Sequence, residues 1–176
     1  IVRDGANRAL NNLVRYLIVV EGAQVRVYSP VIDRPAFPAE GTLVGVRSVA
    51  IPRRPEYRAA LGLPQATRDD LAAFAPEIVH LSAPDFLGFA AKKWAKAQGL
   101  PVVASLHTRF ETYFEYYGLR FLRGWIERRL ARFYSGCDAV MVPTRTIARE
   151  LAALHPGLAI GIWGRGVDRE TFSPTR

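Results

Sequence analysis

The sequence has little cysteine, no long apolar run and comparatively few acidic residues. A single cysteine, Cys137, excludes an internal disulfide framework and favours a reducing compartment. The longest apolar candidate, residues 13–20, is interrupted by Arg15 and is far shorter than the roughly 18 residues that a membrane-spanning helix needs. The charged residues at positions 3, 4 and 8 are unlike a secretory signal peptide.

Acidic residues are outnumbered, with 16 Asp and Glu against 24 Lys and Arg, so the net charge is +8. This surplus indicates an anionic partner, which is a nucleic acid, an anionic lipid or a phosphorylated small molecule. The sequence contains no catalytic-serine triad order, Walker phosphate loop, HExxH motif or Cys/His metal spacing. Because no metal-ligand spacing is present, we expect no bound metal. The aromatic residues fall at core positions, so we also expect no nucleic-acid partner.

The 176 residues fit one domain, and residues 76–176 alternate short apolar strands with helices. Continuous apolar strands joined by helices are typical of a parallel sheet covered on both faces, so we predict a doubly wound α/β fold. The predicted strands are residues 78–81, 102–106, 139–142 and 158–162.

The first third is less regular, although helical spacing predicts a helix over residues 6–21. A short strand over residues 25–28 and another over residues 44–51 follow, and residues 53–58 are predicted to be a basic extended connection. Thr67 is the expected N-cap of the next helix.

His107 is the strongest candidate for a functional residue, because it comes directly after the predicted strand 102–106. Ligands of open α/β sheets bind outside the carboxyl ends of the strands, and an imidazole can donate, accept or carry charge near neutral pH. Thr108 and Arg109 extend the same loop, where the guanidinium would hold an anion or pair with a nearby glutamate. By contrast, we interpret His80 as a packed strand residue and His155 as a surface residue at a helix end.

Two glycine-containing segments also flank predicted elements. Asp4-Gly5 precedes the first helix, where a glycine would let a phosphate approach free backbone N–H groups, although a simple turn explains it equally well. Arg165, Gly166 and Asp168 follow the last strand, and their spacing fits either a ligand contact or a hinge.

The predicted helix 119–135 has an arginine-rich face beside an apolar face. The apolar face is what a helix that covers a sheet needs, and a basic amphipathic helix is also suited to an anionic membrane surface. Cys137 and Asp85 are interpreted as structural, the first as a buried thiol and the second as a helix cap.

Taken together, these motifs resemble the N-terminal domain of family 4 retaining glycosyltransferases with the GT-B fold. The resemblance is greatest to the bacterial branch of lipid mannosyltransferases and sulfoquinovosyl-diacylglycerol-type synthases. The residues that carry it are Ile78-Val79-His80-Leu81, Ser82-Ala83-Pro84-Asp85, Leu106-His107-Thr108-Arg109-Phe110, Tyr116-Tyr117-Gly118-Leu119, Val142-Pro143-Thr144 and Gly164-Arg165-Gly166-Val167-Asp168.

The resemblance implies transfer of a sugar from a nucleotide-diphosphate donor to a lipid or glycan acceptor, without a required metal or cofactor. It places His107 beside the donor sugar and acceptor as the catalytic residue, and Gly5 against the donor phosphate. Asp4, with Thr108 and Arg109, would face the acceptor, and Arg165, Gly166 and Asp168 would lie at the cleft or hinge. The expected location is the cytoplasm, with the enzyme peripheral on the inner face of the cell membrane.

The chain also departs from the family pattern. Of the opening strand expected for the family, residues 1–176 include only Ile1-Val2, and they do not include the family's C-terminal donor-binding domain. We therefore expect residues 1–176 to be one acceptor-side domain that is inactive alone. The alternatives are a non-catalytic basic module peripheral to anionic membranes, and another doubly wound enzyme with a nucleotide ligand, such as an epimerase.

Overall fold

The computed structural model describes residues 5–51, 54–107, 123–164 and 166. The α/β prediction is confirmed, because helices and strands alternate along the chain and most strand pairs are parallel. The helices in these ranges are α1 (Gly5–Val19), α2 (Gln65–Phe74), α3 (Phe86–Ala97), α4 (Arg123–Tyr134) and α5 (Arg145–Leu154). The strands are β1 (Arg26–Ser29), β2 (Thr42–Gly45), β3 (Ser48–Ile51), β4 (Arg54–Ala60), β5 (Val79–Leu81), β6 (Val102–Ser105), β7 (Ala139–Val142) and β8 (Ala159–Ile162).

The main sheet has four parallel strands in the order β5-β6-β7-β8. His80 is paired with Val103, and Ala104 with Val140, so the carboxyl ends of these strands lie along one edge. These strands are short and apolar, and helices connect them, which is the arrangement that parallel sheets require.

The core lies against this main sheet. Phe133 of α4 and the strand residues Val102, Val140 and Val142 are almost completely buried. The Phe133 ring packs edge-on against Phe89, with ring centroids 5.0 Å apart. Burial of each such side chain contributes about 1.5–3 kcal/mol, so α4 is held mainly by its apolar face.

Side-chain caps define the beginning of two helices. The Asp85 carboxylate accepts a hydrogen bond from the Gly88 N–H at 2.7 Å, which confirms its interpretation as a helix cap. Thr144 caps α5 in the same way, accepting from Ile147 at 3.3 Å. The prediction for Thr67 is wrong, because α2 begins at Gln65 and Thr67 is buried within its first turn.

The first third forms two small, separate sheets. β1 and β2 pair in parallel, whereas β3 and β4 form an antiparallel hairpin. The predicted strand 44–51 is therefore wrong as a single element, since its two ends pair with different partners. The predicted extended connection 53–58 is also wrong, because most of it belongs to β4, where Arg58 donates to the Ser48 hydroxyl at 2.9 Å. Pairing decided both cases, with β1 for β2 and with the adjacent β3 for β4, and the composition of each segment does not encode it.

Candidate functional site

The carboxyl edge of the main sheet carries the predicted functional histidine. β6 ends at Ser105, and the Leu106 N–H donates to the Met141 carbonyl of β7 at 2.9 Å. This hydrogen bond continues the strand pairing to the residue before His107, which is half-buried at the edge of the sheet. His107 therefore lies where its position in the sequence predicts.

Trp163, which directly follows β8, places its aromatic ring against His107, which follows β6. The backbone N–H of Trp163 donates to the Val142 carbonyl at 2.8 Å, which fixes the backbone directly after β8. The indole and the His107 imidazole meet edge-on, with ring centroids 5.3 Å apart and an angle of 75° between the planes. This T-shaped arrangement is one that aromatic pairs prefer.

His80 of β5 belongs to the same group of side chains. Its Nε2 lies 2.5 Å from the Ser105 hydroxyl, and its ring centroid is 6.3 Å from that of Trp163. We call His80, Ser105, His107 and Trp163 the edge cluster. It joins residues from β5, from β6 and the loop after it, and from the loop after β8.

The environment of His80 favours its neutral form. The residue is exposed overall, but desolvation by the neighbouring protein lowers the pKa of His80 below its usual 6.5. A neutral imidazole can form one hydrogen bond with the hydroxyl of Ser105, which is itself nearly fully buried. His80 lies in a strand as predicted, but its interpretation as a packed residue is wrong, because the residue is exposed and contacts Ser105 and Trp163 at the edge of the sheet.

Sequence reasoning missed Ser105 and Trp163 as parts of this site. Ser105 is the last residue of β6, and Trp163 is the first residue after β8. The signal that singled out His107, a position at the carboxyl end of a parallel strand, applied equally to both residues.

The phosphate candidate Gly5 is the first residue of α1. Among the residues that the structure describes, none lies within 4 Å of a Cβ atom placed at this position. The first backbone N–H groups of an α-helix have no acceptor within the helix and attract anions.

Of the remaining predicted site residues, the structure describes Gly166 alone. Gly166 is exposed with a φ of +70°, a conformation that favours glycine and is suited to a sharp change of chain direction. Asp4, Thr108, Arg109, Arg165 and Asp168 lie outside the described residues.

The basic helix α4 packs on the core through one side and exposes aromatic and cationic groups on another. Ile126 and Phe133 are buried, whereas Trp125 is 53% exposed. The Arg129 guanidinium lies 4.8 Å from the centroid of the Phe89 ring and 4.9 Å from that of Trp125. The packing role predicted for this helix is thus present, beside a surface of mixed aromatic and cationic character.

Other groups lie away from the edge cluster. Cys137 is buried, and loss of water raises the pKa of its thiol, which donates to the Phe133 carbonyl at 3.3 Å. A cavity of about 400 Å³ opens at the amino-terminal edge of the sheet, between Cys137 and His155, and shares no residue with the cluster. Within the described ranges, no three His, Cys, Asp or Glu side chains converge as metal ligands would. No helix in the described part of the chain is long and apolar enough to cross a membrane.

Comparison with known proteins defines the family to which the chain belongs. The sequence profile described as Glycosyltransferase Family 4 matches residues 3–171. This match covers nearly the whole chain, so the chain belongs to glycosyltransferase family 4.

Individual relatives agree with this assignment. The chain is 28% identical over 173 residues to the sulfoquinovosyl transferase SQD2 of Arabidopsis thaliana, covering 97% of the chain and 34% of that protein. It is 32% identical over 160 residues to a GDP-mannose-dependent alpha-mannosyltransferase of Mycolicibacterium smegmatis, covering 88% of the chain and 42% of that protein. A protein of the same name from Mycobacterium tuberculosis is 32% identical over 114 residues, which are 60% of the chain and 28% of that protein. The matched part of the chain thus spans less than half the length of each of these relatives.

Proposed function

We propose that the whole protein transfers a hexose-type sugar from a nucleotide-diphosphate sugar to a lipid or glycan acceptor, with retention of anomeric configuration. Residues 1–176 would form the acceptor-side half of a GT-B enzyme. The observation that carries this proposal is the family match over residues 3–171. The names of the relatives, a sulfoquinovosyl transferase and GDP-mannose-dependent mannosyltransferases, agree with such a donor.

In this reaction the bond from the anomeric carbon to the donor diphosphate breaks, and a bond to an acceptor hydroxyl oxygen forms. The nucleoside diphosphate leaves with the bonding electron pair, and its departing oxygen takes up the proton that the acceptor hydroxyl loses. We assign His107 to the sugar that reacts, because it stands at the carboxyl edge of the sheet. Its imidazole would bind a sugar hydroxyl and stabilise charge that develops in the transition state.

The donor diphosphate needs positive potential around it. Gly5 would contribute the open start of α1, where N–H groups and the helix dipole attract a phosphate. The surplus of basic residues raises the local concentration of an anionic donor. We propose that these groups are sufficient without a required metal or cofactor.

The other proposed roles follow the family pattern. Asp4, Thr108 and Arg109 would contact the acceptor, and Arg165, Gly166 and Asp168 would line the cleft or form its hinge. A second, donor-binding domain would supply the remaining contacts to the nucleotide. The acceptor-side half would therefore be inactive alone.

The test is a donor screen on the full-length protein. Wild type is incubated with a panel of nucleotide-diphosphate sugars and candidate lipid acceptors, and release of nucleoside diphosphate is measured. We expect turnover with one donor, accompanied by a glycosylated product. A folded protein that releases nucleoside diphosphate from no member of the panel would contradict the proposal.

A second candidate function is binding to an anionic membrane, which would place the enzyme on the inner face of the cell membrane in the cytoplasm. The observation that favours it is the exposed Trp125 beside the Arg129 guanidinium, since aromatic and cationic groups together suit a lipid interface. Flotation with anionic liposomes tests it. Binding should weaken in Arg128→Glu combined with Arg129→Glu, and wild type that never floats would contradict it.

If flotation occurs but no donor is turned over, the protein is a non-catalytic membrane module. If a donor is turned over without flotation, the acceptor is reached in solution. The two assays therefore separate the two functions.

A further inference from the structure

Trp163 has a fixed backbone and a long reach across the sheet. Its backbone N–H donates to the Val142 carbonyl of β7, and its indole contacts the His107 imidazole in the loop after β6. In the strand order β5-β6-β7-β8, this contact spans β7. The indole thus links the carboxyl ends of strands that are not neighbours.

The indole also has a neighbour on β5, since the His80 ring meets it at an angle of 65°. His80 is itself held by the Ser105 hydroxyl, which lies 2.5 Å from its Nε2. Ser105 is nearly fully buried on β6, so this anchor has little freedom to move. The His80–Ser105 pair therefore restricts the positions that the indole can adopt.

A histidine side chain has two torsions, which its neighbours must fix before the ring has one orientation. The orientation of its nitrogens matters when the ring must meet one hydroxyl of a bound sugar, because a misplacement of about 1 Å can lower a rate about a hundredfold. The edge of the indole against the His107 ring removes part of this freedom before substrate arrives.

We propose that Trp163 is a positioning residue that orients the His107 imidazole, with the His80–Ser105 pair bracing the indole from β5. This inference rests on the proposed function for its catalytic consequence. The ring contact itself can be tested without any substrate.

The test uses the full-length protein labelled with [13Cε1]histidine, with the His107 signal assigned by its loss in His107→Gln. Trp163→Leu removes the aromatic ring, and Trp163→Phe keeps a smaller one. We expect the Leu variant to move the His107 signal and change its pH titration. Trp125→Leu, which removes an exposed indole from α4, should leave that signal in place.

The kinetic arm measures nucleoside diphosphate release at varied donor concentration. Trp163→Leu should lower kcat about ten- to a hundredfold with little change in the donor KM, since orientation rather than donor binding is lost. Trp163→Phe should recover most of this loss.

An unchanged His107 signal in Trp163→Leu would overturn the inference, as would a Phe variant with kcat as low as that of the Leu variant. If the Leu variant does not fold, Trp163→Phe carries the test, because its smaller ring must still shift the His107 signal. A shifted signal in a protein whose wild type turns over no nucleotide sugar would establish the ring contact and contradict the proposed function instead.

Discussion

The main sheet and the first third of the chain differ in how they are stabilised. Every member of the principal core cluster lies between Leu81 and Leu151, around strands β5 to β8. Over residues 1–75, the buried apolar residues within the described ranges are Ala9, Val46, Ala60, Leu63 and Leu71, none of which belongs to that cluster. Val19, Val49 and Ile51 of the same region have exposed side chains.

This difference places the candidate site on the more rigid part of the molecule. A catalytic group must keep its orientation, and side chains on a well-packed sheet are held better than those on small two-stranded sheets. The small sheets are joined to the rest through polar contacts, such as the Arg26 guanidinium, which lies 2.7 Å from the Asp70 carboxylate of α2. We therefore expect the two regions to respond very differently to similar substitutions.

The largest difference is expected between a core and a hairpin truncation. Phe133→Ala should lower the free energy of unfolding by about 4 kcal/mol, because it leaves a cavity beneath the main sheet. Val49→Ala in β3, where the side chain is 49% exposed, should cost no more than about 0.5 kcal/mol. Native-state hydrogen exchange of the β7 amides measures both. Equal losses in the two variants would contradict the comparison.

A smaller but local effect is expected at Gly88, which lies in the first turn of α3. A Cβ atom there would stand 2.1 Å from the Ala83 carbonyl oxygen, so Gly88→Ala must displace the loop after β5. We expect a loss of about 3 kcal/mol.

Gly124→Ala in α4 is the matched control for that substitution. Within the described ranges, its Cβ would have one neighbour inside 4 Å, the flexible end of Arg128 at 3.7 Å. A glycine replaced by alanine within an open helix position stabilises by about 0.5–1 kcal/mol. Urea denaturation of both variants should therefore give changes of opposite sign, and a destabilised Gly124→Ala would show that α4 packs more tightly than described.

The smallest expected effect is a pH dependence that arises in the edge cluster. Loss of water lowers the pKa of His80 below 6.5, so the unfolded chain binds a proton more readily than the folded one just below that pH. The free energy of unfolding should fall as the pH falls from 6.5 to the folded pKa, and this contribution should be constant at higher pH.

His80→Asn removes the titrating group while keeping a polar partner for Ser105. Melting temperatures at about pH 7.5 and about pH 5.5 should differ less in this variant than in wild type. A wild-type difference that the substitution leaves unchanged would assign the pH dependence to other groups.

The sequence predicts the second half of the fold well and the first third poorly, for a physical reason. Strands such as β6 and β7 are continuous apolar runs bounded by proline, glycine or a polar cap, so local signals are sufficient. β3 and β4 are defined by pairing with each other, and the charged residues of β4 resemble those of a surface connection.

The candidate site shows the same limit. His107 was predictable because it follows its strand directly in the sequence. Its contact with Trp163 depends on the order of β6, β7 and β8, and a contact between residues 56 positions apart leaves no local pattern. His80 could be identified from the sequence as a polar strand residue. Its hydrogen bond with Ser105 could not be predicted, because it depends on the register between β5 and β6.

The measurement that most directly tests the account compares two histidines at opposite edges of the same sheet. His107 stands at the carboxyl edge, whereas His155 ends α5 before β8 begins and so lies toward the amino-terminal edge. Nucleoside diphosphate release by the full-length protein should fall about a hundredfold or more in His107→Ala and stay near wild type in His155→Ala. Equal activity in the two variants would contradict the assignment of His107 to the reacting sugar.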